Sequence, residues 1–122
     1  MVDGDAEFLK SQQAGFVRNY NNWGRTNYDS NVGLYYISPL LDAMEYSCSS
    51  LPTDDGFGGG VGYRPSFNSE MYANAKAIAN LARLNGDELT AKEFEEKAAQ
   101  LRQNILTKLW DPQRKFFYHM MR

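Results

Sequence analysis

The sequence predicts an all-α domain that contains one clear αα-hairpin, a helix before it and a long loop between them. Three observations predict this class. Apolar side chains recur at helical spacing in three separate segments. Residues typical of helix caps stand at the ends of these segments. The last two segments are joined by a linker of about five residues, which is typical of antiparallel neighbours.

The first helix is predicted over residues 5–21. Phenylalanine, glutamine and tyrosine side chains repeat there at steps of four residues. Asp5 or Asp3 can cap its N-terminus, and the helix is expected to end before Gly24. The polar segment 25–33 that follows is rich in turn residues.

A long loop without a clear period is predicted over residues 34–66. It opens with a short strand-like run at residues 34–37, which Pro39 stops. A loop of this length inside a compact domain is usually either functional or disordered. The aromatic residues in it favour an ordered, functional loop.

The helical hairpin is predicted over residues 68–110. Its first helix starts near Asn68 and ends before Gly86, which can adopt the left-handed conformation that closes helices. Thr90 and Glu93 form a capping box for the second helix, and Pro112 follows its end. Both helices have wide apolar stripes, more than one hairpin can bury. We therefore expect further neighbours, either from the rest of a longer chain or from a second copy.

Composition and charge exclude several classes of function. The formal net charge is -2 and no basic run occurs, which argues against binding to nucleic acid or to an anionic membrane surface. No apolar stretch approaches the ~20 residues of a membrane span. Cys48 and His119 are the single cysteine and the single histidine, so we expect no metal site. The composition does not indicate a cellular compartment.

Acidic and aromatic residues concentrate in the loop. Asp42 and Glu45 lie close together, and Arg64 precedes the hairpin. A carboxylic acid can protonate the leaving oxygen of a glycoside, and flat rings can bind the apolar faces of sugars. The alternative is that both carboxylates are simply solvated. Arg64 can either pair with Glu45 or Glu70, or hold a substrate hydroxyl. The glycine-rich run 56–62 fits neither dinucleotide nor phosphate-loop spacing, and it is expected to be a flexible cover or a close backbone turn.

The second half of the chain resembles the inverting six-hairpin glycosidases, the clan that includes trehalases, processing α-glucosidases and mannosylglycerate-hydrolase-like enzymes. The resemblance covers most of residues 34–118. It rests on the following runs: Asn68-Ser69-Glu70-Met71-Tyr72, Ala77-Ile78-Ala79, Leu84-Asn85-Gly86-Asp87, Leu109-Trp110-Asp111 and Phe116-Phe117-Tyr118. Residues 43–47 align in sequence with the general-acid loop of the clan.

The resemblance implies a toroid of six helical hairpins, of which this chain would supply one part. It places Glu45 at the position of the general acid, with Asp42 as a nearby rival. Glutamate replaces the usual aspartate there, and residues 48–50 replace the Arg-Trp pair that often follows. The general base of the clan lies far downstream, so the chain is expected to be a fragment. Its partners would be the remainder of the toroid or another copy of itself.

The substrate implied is a carbohydrate, and no metal or organic cofactor is needed. The candidate catalytic residues are Glu45 and Asp42. The candidate substrate-binding residues are Tyr36, Tyr46, Phe57 and Tyr63 for stacking, and Arg64 and Asn68 for hydrogen bonding. Two alternatives stay open, a helical-repeat interaction module and a carbohydrate-binding protein without catalysis.

Overall fold

The structure is a computed structural model that describes residues 5–43, 46–47, 49–51 and 53–122, with the backbone alone at Asp42. The helices are α1 (Ala6–Ser11), α2 (Gln13–Asn27), α3 (Pro65–Leu84) and α4 (Glu88–Lys108), and a 3-10 helix spans Pro39–Asp42. Short strands are β1 (Tyr28–Asp29), β2 (Leu34–Tyr35), β3 (Gly62–Tyr63), β4 (Trp110–Asp111), β5 (Phe116–Phe117) and β6 (Met120–Met121). The predicted all-α class is confirmed.

The first helical segment is longer than its sequence pattern indicates. Asp5 caps α1 by accepting a hydrogen bond from the backbone N–H of Phe8 at 2.9 Å. After Gln12, α2 continues to Asn27, six residues beyond the predicted end at residue 21. Trp23 explains the extension, because its ring packs edge-on against Phe67 at a centroid distance of 5.1 Å. Tertiary packing of this kind outweighs the weak helix preference of the asparagines before it.

The helices α3 and α4 form the predicted hairpin. Their facing surfaces are rich in alanine, and small side chains let the helix backbones approach closely. The buried alanines are Ala75, Ala79, Ala82, Ala91 and Ala98. Gly86 has φ +73° in the connection. Asp87 then caps α4 by accepting a hydrogen bond from the N–H of Thr90 at 3.1 Å, so the cap lies three residues before the predicted capping box.

At one end of the helices, the segments outside the helices form three antiparallel strand pairs. They are β1–β2, β3–β6 and β4–β5, and a bridge between Ile37 and Gly62 links the first two pairs. The C-terminus of α2, the N-terminus of α3 and the C-terminus of α4 meet at this end, which we call the loop end. At the opposite end, Asn85 donates a hydrogen bond to the carbonyl of Lys10 at 3.0 Å.

One apolar core lies between the helices and β2. Aromatic rings fill its centre, where Tyr20 packs edge-on against Phe94 at 5.1 Å and against Tyr35 at 6.1 Å. Leu34, Ile37 and Leu109 are fully buried at its loop end. Within the described part of the chain, no helix combines the length and hydrophobicity of a membrane-spanning segment.

Candidate functional site at the loop end

The two candidate acids are Asp42 and Glu45, which lie three residues apart in the sequence. Glu45 lies outside the described residues, and so does the side chain of Asp42. The backbone of Asp42 ends the 3-10 helix, and Ala43 follows it in the left-handed region with φ 56°. The roles of both carboxylates therefore stay predictions, and the surroundings of the loop are what the structure adds.

Tyr46, the residue after the candidate acid Glu45, forms an exposed aromatic pair with Phe57. The rings of Tyr46 and Phe57 have a centroid distance of 6.1 Å and an interplanar angle of 60°. Tyr46 is 68% exposed and Phe57 is 49% exposed. The N–H of Tyr46 donates to the carbonyl of Gly56 at 2.8 Å, which fixes the spacing of the two loop segments. Exposed rings held in this way can bind the apolar face of a ligand.

The guanidinium of Arg64 lies beneath the same loop. Arg64 is buried, and its Nη2 donates a hydrogen bond to Oγ of Ser47 at 2.9 Å. The hydroxyl of Ser47 also shares a hydrogen bond of 2.6 Å with that of Ser49, whose side chain is buried. Arg64 thus contacts the loop segment that begins two residues after Glu45.

Asn68 is fully buried in the first turns of α3, and its side chain bonds to backbone groups. Its Oδ1 accepts from the N–H of Tyr35 at 2.8 Å. Its Nδ2 donates to the carbonyls of Tyr35 at 2.8 Å and of Arg64 at 2.9 Å. Both N–H donors of the amide are therefore engaged, and in this conformation the side chain joins β2 to the start of α3.

The remaining candidate tyrosines belong to a network with two residues that sequence reasoning missed. Tyr63 is buried, and its hydroxyl donates to Oδ2 of Asp29 at 2.8 Å. The guanidinium of Arg122 lies 3.8 Å from the ring centre of Tyr36, and the Tyr36 hydroxyl donates to the carbonyl of Thr26. Neither residue belongs to a sequence motif. Asp29 is placed by the pairing of β1 with β2, and Arg122, which follows β6, by the pairing of β6 with β3.

Neighbouring groups shift the pKa values of two residues in this network, Asp29 and Tyr63. The hydrogen bond from Tyr63 holds the pKa of the Asp29 carboxyl below its usual range, with help from the backbone N–H groups of Val32 and Asn31 and from the charge of Arg122. Burial, followed by the hydrogen bond to Asp29, raises the pKa of Tyr63. Asp29 is therefore ionised and Tyr63 protonated at neutral pH.

His119 is a third residue that the sequence analysis did not place at the site. Its Nε2 atom is buried and has no hydrogen-bond partner among the described residues. A Cβ added at Gly62 would overlap this nitrogen, so the ring lies directly on the backbone of β3. Burial lowers the pKa of His119, and the nearby charge of Arg64 lowers it further, so the ring is neutral at neutral pH.

The glycine-rich run is an ordered backbone turn packed against the serines of the loop. Oδ1 of Asp55 accepts hydrogen bonds from the N–H groups of Phe57 and Gly58 at 3.0 and 2.9 Å. Gly60 has φ +83°, and a Cβ there would overlap the carbonyl of Ser49. The close-turn alternative of the sequence analysis is thus the one observed. No group of three or more potential metal ligands occurs among the residues described.

Comparisons with known proteins identify the family of the chain. The family model described as the mannosylglycerate hydrolase MGH1-like glycoside hydrolase domain matches residues 1–122. A solved structure named sialidase superposes with a TM-score of 0.86 and 35% sequence identity over 99% of this chain. The chain spans 10% of the length of that sialidase. No curated protein matches significantly. By the whole-length family match, the chain belongs to the MGH1-like glycoside hydrolase domain family.

Proposed function

We propose that this chain provides the general-acid side of an inverting glycoside hydrolase site, with Glu45 as the acid. The observation that carries the proposal is the exposed pair of Tyr46 and Phe57, of which Tyr46 directly follows Glu45, in a chain of a glycoside hydrolase family. The family also favours a hydrolase over a helical-repeat interaction module.

In this mechanism Glu45 protonates the glycosidic oxygen while a base outside this chain activates water on the other face of the sugar. The two carboxyl groups of an inverting pair stand roughly 6.5–9.5 Å apart, which leaves room for that water. The acid must hold its proton near neutral pH. Partial desolvation or a second carboxylate nearby raises the pKa of a carboxylic acid, and Asp42 is the nearest such group in the sequence.

The two exposed rings would provide the binding platform for the sugar. Tyr46 and Phe57 are inclined to one another, so together they form a shallow apolar corner at the loop end. The apolar face of a pyranose can lie against such a surface while its hydroxyls stay hydrated. The hydroxyls of Tyr36 and Tyr63 bond to Thr26 and Asp29 of the chain itself, so these two residues would contribute to the structure of the loop end and not to the platform.

Substitution of the two candidate acids tests the mechanism in a protein that contains the complete glycoside hydrolase domain. We expect Glu45→Gln to lower turnover of aryl glycosides by about a hundredfold or more, because a general acid contributes on this scale. Asp42→Asn should have a smaller effect. Asp54→Asn, an exposed carboxylate of the same loop, is the matched control.

The configuration of the first-formed sugar, read by proton NMR, tests inversion directly. Retention of configuration would refute the inverting mechanism. If Asp42→Asn abolished turnover and Glu45→Gln did not, the acid assignment would be reversed. A wild-type protein that binds sugars and cleaves none would instead identify a carbohydrate-binding protein without catalysis.

A further inference from the structure

The contacts of Arg64 differ from those expected of a residue that binds only substrate. Its Nη2 donates to Oγ of Ser47, and that hydroxyl is also bonded to Oγ of Ser49. A hydrogen bond from a guanidinium to a hydroxyl is charge-assisted, and it is strengthened where water is excluded. Arg64 and Ser49 are both buried. We call this group of three residues the serine clamp.

The arginine end of the serine clamp is fixed from the helix side. The carbonyl of Arg64 accepts hydrogen bonds from the N–H of Asn68 at 3.1 Å and from its Nδ2 at 2.9 Å. The side-chain amide of Asn68 in turn accepts a hydrogen bond from the N–H of Tyr35 and donates one to its carbonyl. The start of α3 and strand β2 therefore hold the backbone of Arg64 in place, and its side chain reaches the loop from a rigid base.

The serine end of the clamp organises the loop. The carbonyl of Ser47 accepts from the N–H groups of Ser50 and Leu51 at 2.9 and 3.2 Å. The hydroxyl of Ser50 donates to the same carbonyl at 3.0 Å. Gly60 packs against the backbone of Ser49 on the other side. Ser47 is thus the point at which the turn after Glu45 is joined to the scaffold.

From this arrangement we infer that Arg64 is a positioning residue, which fixes Ser47 and thereby the place of the acid two residues earlier. This role deepens the proposed function and rests on it, since it concerns the acid of the same site. It differs from hydrogen bonding to a sugar hydroxyl, because the guanidinium acts on the protein loop. A catalytic acid must be held within about 0.5 Å of its productive position to act efficiently.

Hydrogen exchange in the 122-residue chain tests the serine clamp without any substrate. Arg64→Met removes the guanidinium and keeps an apolar stem, while Ser47→Ala removes only the accepting hydroxyl. We expect both to speed exchange of the Ser50 and Leu51 amides by about tenfold, the scale of one charge-assisted hydrogen bond. Amides of α4 should be unchanged. Arg102→Met and Ser66→Ala, at exposed positions, are the matched controls.

Unchanged loop exchange in both variants would overturn the inference. If Arg64→Met accelerates exchange throughout α4 as well, the substitution has weakened the whole fold. Ser47→Ala then decides, because it leaves the buried arginine intact and alters only the loop end of the clamp.

A second measurement separates positioning of the acid from contact with the sugar. In a protein with the complete domain, turnover of a 2,4-dinitrophenyl glycoside is compared with that of an alkyl glycoside of the same sugar. Dinitrophenolate leaves without a proton, whereas an alkoxide needs the acid. Arg64→Met should slow the alkyl glycoside at least about tenfold more than the activated one, and Arg64→Lys should restore part of the difference.

Equal slowing of both substrates by Arg64→Met would overturn the positioning role and favour direct contact with the sugar. Failure of the proposed function gives a different pattern. The wild-type protein would then cleave neither glycoside, while the exchange measurement would still report on the serine clamp.

Discussion

At the scale of single residues, buried polar groups hold the loop end together. Asn68 and Tyr63 are candidates for substrate binding in the sequence, yet the structure shows their side chains bonded to Tyr35, Arg64 and Asp29. A buried amide or hydroxyl without a partner costs about 1–3 kcal/mol. Polar residues in an apolar region are therefore satisfied by backbone and side-chain partners before any of them is free for a ligand.

Gly60 is a residue at which any side chain should be destabilising. Its φ of +83° is unfavourable for other residues, and a Cβ would overlap the carbonyl of Ser49. We expect Gly60→Ala to lower the free energy of unfolding by about 1–3 kcal/mol, measured by urea denaturation. Gly15 in α2 has no atom near its missing Cβ, so Gly15→Ala is the control and should stabilise by about 0.5–1 kcal/mol. Equal effects at both positions would contradict this account.

His119 should make stability depend on pH in the mildly acidic range. Its pKa in the folded chain is lowered by burial and by Arg64, whereas in the unfolded chain it is near 6.5. As the pH falls through that value, the unfolded state gains a proton that the folded state does not bind, so stability decreases. Above it the ring is neutral in both states.

The measurement is the urea midpoint between about pH 7.5 and pH 5, where most carboxyl groups are still ionised. We expect the wild-type midpoint to fall across this range and that of His119→Gln to fall less. Parallel curves for the two proteins would show that this ring has no altered pKa.

At the scale of elements, the α3–α4 hairpin combines an alanine-rich interface with ionic contacts at its rim. Glu95 of α4 contacts Lys76 at 2.9 Å and Arg83 at 2.8 Å, both on α3. All three side chains are partly exposed, so each pair contributes little to stability. The burial of apolar side chains therefore supplies most of the stability of the hairpin.

Leu101 in the middle of α4 tests that conclusion. It is 3% exposed and packs in the core, so Leu101→Ala should lower the free energy of unfolding by roughly 2–5 kcal/mol. Leu89 lies on the same helix with 86% of its surface exposed, and Leu89→Ala should change stability by at most about 0.5 kcal/mol. Thermal unfolding of both variants checks this. Similar losses of stability at the two positions would mean that the apolar face of α4 containing Leu101 does not lie in the core.

At the scale of the whole molecule, an apolar groove remains open between α2 and α3. Its volume is about 320 Å³. The apolar residues that line it include Leu9, Phe16, Trp23, Met71, Ile78 and Leu81. Leu9 and Phe16 are about half exposed. A contiguous apolar surface of this kind commonly marks an interface, which agrees with a chain that spans one tenth of the length of a similar sialidase.

We expect the isolated 122-residue chain to self-associate and to lack hydrolase activity, since the proposed mechanism needs a second carboxylate from outside this chain to activate the water. Light scattering measures the association, and a panel of aryl glycosides and disaccharides measures the activity. Phe16→Ser in the groove should reduce association, whereas Phe116→Ser, an exposed phenylalanine at the loop end, should not. A monodisperse chain that cleaves a glycoside and loses this activity on Glu45→Gln would refute the expectation.

Several features of this protein follow from local patterns in its sequence. The apolar period of α3 and α4 and the left-handed Gly86 could be read directly, because helix faces and helix ends are specified by neighbours within a few residues. The family resemblance rests on the same segments. Tyr46 and Phe57 could each be identified as candidates for stacking because aromatic residues concentrate in the loop, whereas their contact with one another is seen only in the structure.

Long-range contacts in the folded chain establish which polar side chains hydrogen-bond within the protein. Tyr35 and Asn68 are 33 residues apart, and Arg122 meets Tyr36 only because β6 pairs with β3. The extension of α2 through Trp23 depends in the same way on a ring from α3. Such contacts form when distant segments bury their surfaces together, and no local pattern in the sequence specifies them.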